Sequence, residues 1–376
     1  MNPYESSWSR RQLLLAGALG AAGAAAPSAL HAAAAAPATA ATSGKAVIAK
    51  AIPKSGVALP VIGIGTNAFR TDNYDALRAV LKRMNELGGT VIDTAPSYGE
   101  SEGVIGRALQ ELQLRDRFFL STKFNAAGKG WGPGDITGRA SVERSLQRLR
   151  TDHLDLLEVH RLEGLDDLMP LMQEYRKAGT IRYLGVTTFA TGEHDRMAEL
   201  IRTHELDFIQ VDYSLGNRHA AEKVLPLALE RKVAVMVDVP LGGRRGSLFR
   251  ETTGRTLPPW AAEFGATTWA QFFLKYVVSH PAVTVAIPGS TSVDHLEDNQ
   301  GAGLIERGKP VLVQTLLPKT TIEDLDEQVV GGRAWPAERQ CCLMTRSAVC
   351  ATDAAGGDVS TRHRVCRRWM RAPVRQ

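Results

Sequence analysis

Residues 154–188 read LDLLEVHRLEGLDDLMPLMQEYRKAGTIRYLGVTT. An apolar run, Leu154–His160, is followed by an amphipathic stretch, Asp166–Lys177, and a second apolar run, Tyr183–Thr188. Near-continuous apolar strands joined by a helix are parallel strands buried on both faces. The alternation extends in both directions. Strand-like runs recur at Val61–Thr66, Thr90–Thr94, Phe118–Phe124, Phe208–Ser214, Ala234–Pro240 and Thr284–Pro288. Helix-like segments lie between and after them at Tyr74–Leu87, Glu102–Leu112, Ile136–Leu149, Gly192–Thr203, Ala220–Arg231, Pro259–Ser279 and Val293–Gly301. Eight such units predict an α/β chain folded as a closed (β/α)8 TIM barrel, with an open doubly wound sheet as the rival architecture. Residues 45–60, with Ile48, Ile52 and Val57, predict an N-terminal hairpin cap that plugs the barrel bottom.

The flanks differ from this body. Ser9-Arg10-Arg11-Gln12-Leu13-Leu14-Leu15 precedes an Ala/Gly-rich apolar run to Ala26 and small residues to Ala41. This is the build of a secretory signal, and the paired arginines point to the bacterial twin-arginine route. Residues 1–42 are therefore expected to be a signal peptide read by the twin-arginine export machinery. The expected location is periplasmic, with no stable membrane span after cleavage. At the other end the resemblance to a barrel stops and residues 309–376 form an atypical basic tail. Residues 331–376 contain nine Arg, no Lys, three acids and all four cysteines, Cys341, Cys342, Cys350 and Cys366. That segment is either an authentic disordered tail or the product of a shifted reading frame. The chain's net charge of +5, less +6 in this segment and +1 in the leader, leaves −2 for residues 43–330. The body thus offers no basic face for nucleic acid, and its lack of Cys excludes a disulfide scaffold or a Cys zinc site. No metal site is expected.

The glycines carry little on their own. Gly63-Ile64-Gly65 lacks the third Gly of a dinucleotide fingerprint, and Gly128–Gly134, with Lys129, lacks P-loop spacing and reads as a loop. Neither a GxSxG elbow nor an HExxH helix is present. The chemistry lies instead at three successive strand ends, where barrels place reactive groups. These are Ile92-Asp93-Thr94-Ala95 running on to Tyr98, Ser121-Thr122-Lys123-Phe124, and Glu158-Val159-His160. Asp93 and Lys123 on adjacent strands are natural partners, because an unpaired charge there is costly. A tyrosine is too weak an acid at neutral pH, and a neighbouring lysine is expected to lower its pKa. With a histidine donating to a carbonyl oxygen, this set polarises a carbonyl and protonates the alkoxide. None of these groups supplies hydride, so a nicotinamide cofactor is implied.

The run Asp93-Thr94-Ala95-Pro96-Ser97-Tyr98-Gly99-Glu100-Ser101-Glu102 resembles the signature of the aldo-keto reductase family. So do Ser121-Thr122-Lys123, and Leu146–Leu149 leading to Asp152–His160. The similarity spans about Lys54 to Gly303 and places the barrel domain at residues 43–308. It implies an NADPH-dependent reductase of a small aldehyde or ketone, or the reverse alcohol oxidation. By this resemblance Tyr98 is the general acid, Lys123 tunes it, Asp93 pairs with Lys123, and His160 orients the carbonyl.

The resemblance also assigns the cofactor. Gly65, Thr66, Pro240 and Leu241 fall on its binding rim, and Gly185-Val186-Thr187-Thr188-Phe189 stands where the family has G-V-S-N-F, with Thr187 and Thr188 against the carboxamide. Gln210 matches the family glutamine, whereas Asp238 replaces the tyrosine that stacks on nicotinamide. Ile287, Gly289, Ser290 and Thr291 resemble the phosphate loop, and Asp298 and Asn299 the adenine contacts. Gly289 and His295 replace the cations that hold the 2′-phosphate, so NADH remains possible. Trp131, Arg161, Phe189 and Phe249 are candidates for lining the substrate pocket. Two other classes stay open: a non-catalytic cofactor-binding or regulatory protein on the same barrel, and a barrel isomerase or hydrolase.

Overall fold

The computed structural model describes residues 45–125, 138–162, 164–243 and 247–306. The strands in chain order are β1 (Lys45–Val47), β2 (Ala49–Ala51), β3 (Ala58–Pro60), β4 (Ile64–Gly65), β5 (Val91–Asp93), β6 (Phe119–Phe124), β7 (Leu154–His160), β8 (Ile181–Thr188), β9 (Phe208–Asp212), β10 (Ala234–Asp238), β11 (Val283–Ala286) and β12 (Leu304–Glu306). The helices are α1 (Tyr74–Glu86), α2 (Ser101–Leu112), α3 (Gly138–Leu149), α4 (Leu165–Ala178), α5 (His194–Thr203), α6 (Val224–Glu230), α7 (Leu248–Glu251), α8 (Trp269–Ser279) and α9 (Val293–Gly301).

Strands β4 to β11 lie side by side in chain order and pair in parallel. Isolated parallel bridges Ile62↔Ala286 and Gly65↔Gly289 bring the last strand back to the first. Period-two alternation gives each strand one inward and one outward row. The outward row packs on helices whose apolar residues recur at helical spacing, as with Leu77, Val80, Leu81 and Met84 of α1, all fully buried. The inward row fills the lower barrel with Val91, Phe119, Leu156, Tyr183, Phe208, Ala234, Met236, Val285 and Ile287. The rings of Phe119, Tyr183 and Phe208 meet there at centroid distances of 5.6–6.0 Å.

The hairpin is β2–β3, and it closes the bottom with Ile52 and Leu59 among those interior residues and Val57 packed against them. Two points depart from the sequence expectation. Ile48 packs with the outer core instead, and residues 45–47 pair antiparallel with β12. Lys50 pins the hairpin by donating to the carbonyls of Val278, His280 and Val283 at 2.6, 2.8 and 2.7 Å. Burial lowers its pKa to about 8, because a desolvated ammonium is costly.

The helical segment expected over Pro259–Ser279 is two elements. A 3-10 turn, Pro259–Phe264, ends at Gly265 (φ 70°), and Thr268 then caps α8 by accepting from the Gln271 amide. Likewise α6 begins only at Val224, after a 3-10 turn at His219–Ala221. Helix α7 was not foreseen. Gly128–Gly134 with Trp131, the leader expected over residues 1–42 and the tail expected over residues 309–376 lie outside the described residues. Among the described residues no helix is long and apolar enough to cross a membrane.

Candidate active site

Above the apolar layer the inward row turns polar. One step up each strand come Asp93, Ser121, Glu158 and Gln210, then Lys123, His160, Thr187, Asp212 and Asp238. The fold therefore gathers Asp93, Lys123 and His160 at one mouth, because they end β5, β6 and β7 on the same face. Tyr98 arrives from the 3-10 turn Pro96–Tyr98 that follows β5.

The Lys123 ammonium, 1% exposed, donates to Asp93 Oδ1 at 2.5 Å and to the Thr94 carbonyl at 2.9 Å. It stands 5.3 Å from the Tyr98 ring centroid. The Tyr98 and His160 rings meet edge-on, with centroids 6.0 Å apart, and His160 Nδ1 lies 3.4 Å from Ser97 Oγ. Burial works to lower the lysine pKa, but Asp93, then Tyr98 and Glu158, more than reverse it, so the ammonium stays charged. His160 falls to about 3 through burial and the nearby charges of Lys123 and Arg161. It is a neutral imidazole at every working pH.

Tyr98 corrects the sequence expectation. Lys123 does pull its pKa down, but burial outweighs that pull and Asp93 and Asp238 add to burial, leaving Tyr98 at about 12. The pairing of Lys123 with Asp93 screens the charge that was to stabilise a phenolate. Tyr98 is thus a loaded acid at neutral pH. It can still give its proton to an alkoxide, which is the stronger base.

Glu158 and Asp212 were not singled out from sequence, although period two gives the signal. Glu158 is two residues before His160, and Asp212 is two after Gln210, so both share the inward face. Glu158 is fully buried; its Oε2 accepts from Ser121 Oγ at 3.2 Å and its Oε1 has no hydrogen-bond partner. Gly185 makes room for it, since a Cβ there would sit 3.2 Å from Glu158 Oε1 and 2.7 Å from the Phe208 carbonyl. Burial lifts Glu158 from 4.5 to about 8, with Lys123 opposing and Asp93 reinforcing. Folding then takes up a proton between those two values, so stability falls as pH rises through that window. Glu158→Gln should flatten this decline and leave the variant more stable than the parent at pH 8. The expected gain is on the order of a few kcal/mol. Urea midpoints measured at several pH values from 4.5 to 8 would check it; parallel curves would refute it.

The cofactor candidates divide. Gln210, 2% exposed, donates to Asp93 Oδ2 at 3.4 Å and has a buried Oε1 without a partner. Asp238 ends β10 with Oδ1 buried and likewise unpartnered. Pro240 and Leu241 follow it on the rim. Ile287, Gly289, Ser290 and Thr291 lie on the turn from β11 into α9. Gly65 lies against this turn, where a Cβ would meet the Ile287 carbonyl at 2.9 Å. Near Gly289, by contrast, the closest atom to an added Cβ is the Gly65 carbonyl at 3.7 Å, so backbone is open to a ligand there.

Other candidates have structural work. Thr66 Oγ1 donates to the Asp93 carbonyl at 2.9 Å and accepts from Ser101 Oγ at 2.8 Å. Thr188 Oγ1 donates to Glu193 and accepts from the Ala190 amide. Thr187 Oγ1 accepts from the Arg161 amide at 3.2 Å. Asn299 Nδ2 donates to Ser290 Oγ at 2.8 Å, which braces the turn. Asp298 accepts from Thr268 and Gln271, tying α9 to α8. His295 is exposed, its amide donating to the Ser292 cap. Among the pocket candidates, Arg161 sits 5.6 Å from the Phe189 ring centroid; Phe189 is exposed on the loop after β8, and Phe249 is exposed on α7.

The same architecture is found in known proteins. The chain is 32% identical over 205 residues to aldo-keto reductase YhdN of Bacillus subtilis, covering 50% of this chain and 60% of that one. It is 31% identical over 264 residues to methylglyoxal reductase YeaE of Escherichia coli, covering 66% of this chain and 88% of that one. An aldo/keto reductase from Klebsiella pneumoniae, crystallised with NADP and acetate, superposes with a TM-score of 0.59 at 29% identity, over 74% of this chain and 94% of that one. The sequence profile of the aldo/keto reductase family matches residues 61–307. With its (β/α)8 barrel and its Asp93, Tyr98, Lys123 and His160 at one mouth, the chain belongs to the aldo/keto reductase family.

Proposed function

We propose that this chain is an NADPH-dependent carbonyl reductase in which Tyr98 is the general acid. The observation that carries the reading is the buried Lys123–Asp93 pair set against Tyr98, with neutral His160 on the same mouth. His160 donates to the carbonyl oxygen and fixes its position. Tyr98 gives its proton to that oxygen as negative charge develops there, and Lys123 steadies the phenolate left behind. Asp93 holds Lys123 charged and in place. The nicotinamide, when bound, supplies the hydride. The chain has groups that suit it: the unpartnered Gln210 Oε1 is an acceptor for the carboxamide, and the open backbone around Gly289, leading into α9, suits a phosphate.

NADPH is favoured over NADH by the NADP- and NADPH-bound Klebsiella relatives. With Gly289 and His295 in place of cations, the expected discrimination between the two is weak. The substrate class is a small aldehyde or ketone, in keeping with the methylglyoxal reductase among the relatives. Titrating the full chain with each nucleotide, followed by nicotinamide fluorescence, tests the cofactor assignment. Saturable binding supports it, and no binding of either nucleotide overturns it.

The reading includes export to the periplasm by the twin-arginine route, supported by Arg10-Arg11 ahead of an apolar, Ala-rich run. That route suits an enzyme folded before it crosses the membrane. Replacing both Arg10 and Arg11 by Lys should leave the protein in the cytoplasmic fraction of the expressing bacterium. Unchanged recovery from the periplasm would refute this assignment.

A further inference from the structure

We propose that Asp238 makes the site selective for the redox state of the nicotinamide, its carboxylate pairing with the cationic oxidised ring so that the chain holds NADP+ more tightly than NADPH. The inference rests on the reductase reading and adds to it a residue where this chain departs from its family.

The place of Asp238 follows from the barrel. A carbonyl whose oxygen is held by Tyr98 and His160 lies toward β5–β7. The carbon that delivers hydride must approach it to about 3–3.5 Å from the other side. That side of the mouth is formed by the ends of β9, β10 and β11. Asp238 closes β10 on the row that begins with Ala234 and Met236, which are interior residues, so its carboxyl faces the mouth. Val239 then takes φ 50°, a strained value for a β-branched residue, and turns the chain away so that Asp238 stays at the rim.

The surroundings leave this carboxyl waiting for a cation. Its Oδ1 is buried without a hydrogen-bond partner. Its register neighbour on β9 is another acid, Asp212, whose Oδ2 accepts from Asn217 at 2.8 Å and whose Oδ1 is also buried and unpartnered. From β5 and β7 it faces Asp93 and Glu158, and from β6 Lys123, the one cation among these groups, already paired with Asp93. The phenol of Tyr98 also feels its charge. Burial, then Asp212, raise the Asp238 pKa well above the ordinary carboxylate range despite Lys123. Asp238 therefore holds a proton more readily than an ordinary carboxyl. A neutral reduced ring leaves that state undisturbed. A cationic ring favours the carboxylate and drives the proton into solvent.

Two titrations of the full-length protein test this. In weakly buffered solution at pH 7, NADP+ binding should release more protons than NADPH binding. The 2′-phosphate is common to both nucleotides, so the difference isolates the ring. Asp238→Asn should weaken NADP+ by about ten-fold while leaving NADPH unchanged. Equal proton release by the two nucleotides in the parent protein would overturn the proposal without recourse to any variant. So would an NADP+ to NADPH affinity ratio unchanged in Asp238→Asn. If neither nucleotide binds the parent protein, the reductase reading itself fails and this proposal fails with it. The parent titrations alone distinguish that case.

Discussion

Tyr98→Phe should lower kcat for carbonyl reduction by about 10³-fold while leaving NADPH affinity unchanged. The phenol ring is what packs against His160, and phenylalanine keeps that ring. What is lost is the phenol that protonates the carbonyl oxygen in the proposed mechanism, and among the described residues neither neutral His160 nor Lys123, engaged with Asp93 and the Thr94 carbonyl, replaces it. The pH profile adds a second check. With Tyr98 at about 12 and His160 at about 3, neither group titrates near neutrality. The parent enzyme's kcat should therefore show no break near pH 6.5 from His160, and fall from Tyr98 only as strongly alkaline pH strips its proton. Steady-state kinetics of the variant beside the parent, with nucleotide affinity from fluorescence, would decide. Turnover within a few-fold of the parent would remove Tyr98 from its role.

Lys123→Met has the second large effect, and it strikes stability and chemistry together. The lysine is 1% exposed and Asp93 2%, so methionine leaves a carboxylate buried without its counter-ion. Breaking a buried pair from one side costs about 3–5 kcal/mol. Gln210, donating to Asp93 at 3.4 Å, is a poor replacement. Adding Asp93→Asn to the same variant removes the stranded charge and should restore much of the stability. Activity should not return, because nothing then stabilises the Tyr98 phenolate. Urea denaturation of the single and double variants, with kcat for each, separates these effects as a double-mutant cycle. A single variant as stable as the parent would contradict the pairing. Restored activity in the double variant would contradict the role of Lys123.

The gathering of Asp93, Tyr98, Lys123 and His160 at one mouth was legible because chemistry and fold coincide in the sequence. Asp93, Lys123 and His160 each end an apolar run, and each would be costly there without a partner. The alternation of apolar runs such as β7 with amphipathic stretches likewise carried the barrel, since eight such units read as parallel strands buried on both faces. The balance of forces was less legible. That Lys123 lies near Tyr98 follows from strand order, but that burial outweighs it depends on how deeply the mouth closes over the phenol. Thr66 and Thr188 show a related limit. Both fall on motif positions, yet their hydroxyls bond to the Asp93 carbonyl and to Glu193. The same holds for Ser101 and Glu102 of the signature: Ser101 bonds to Thr66, and Glu102 accepts from Thr122 at 2.8 Å. The break at Gly265 inside the expected Pro259–Ser279 helix was written as a glycine followed by Thr268, a capping residue. The apolar periodicity around it hid that signal.

The most direct test of the central claim is a single turnover. The full chain, loaded with a stoichiometric amount of NADPH, is mixed with a panel of small aldehydes and ketones, and the nicotinamide absorbance is followed as the alcohol forms. Loss of the reduced cofactor that depends on the carbonyl compound, with one alcohol formed per NADPH consumed, is the expected result. NADPH that binds but stays reduced across the whole panel would contradict the assignment of this barrel as a carbonyl reductase.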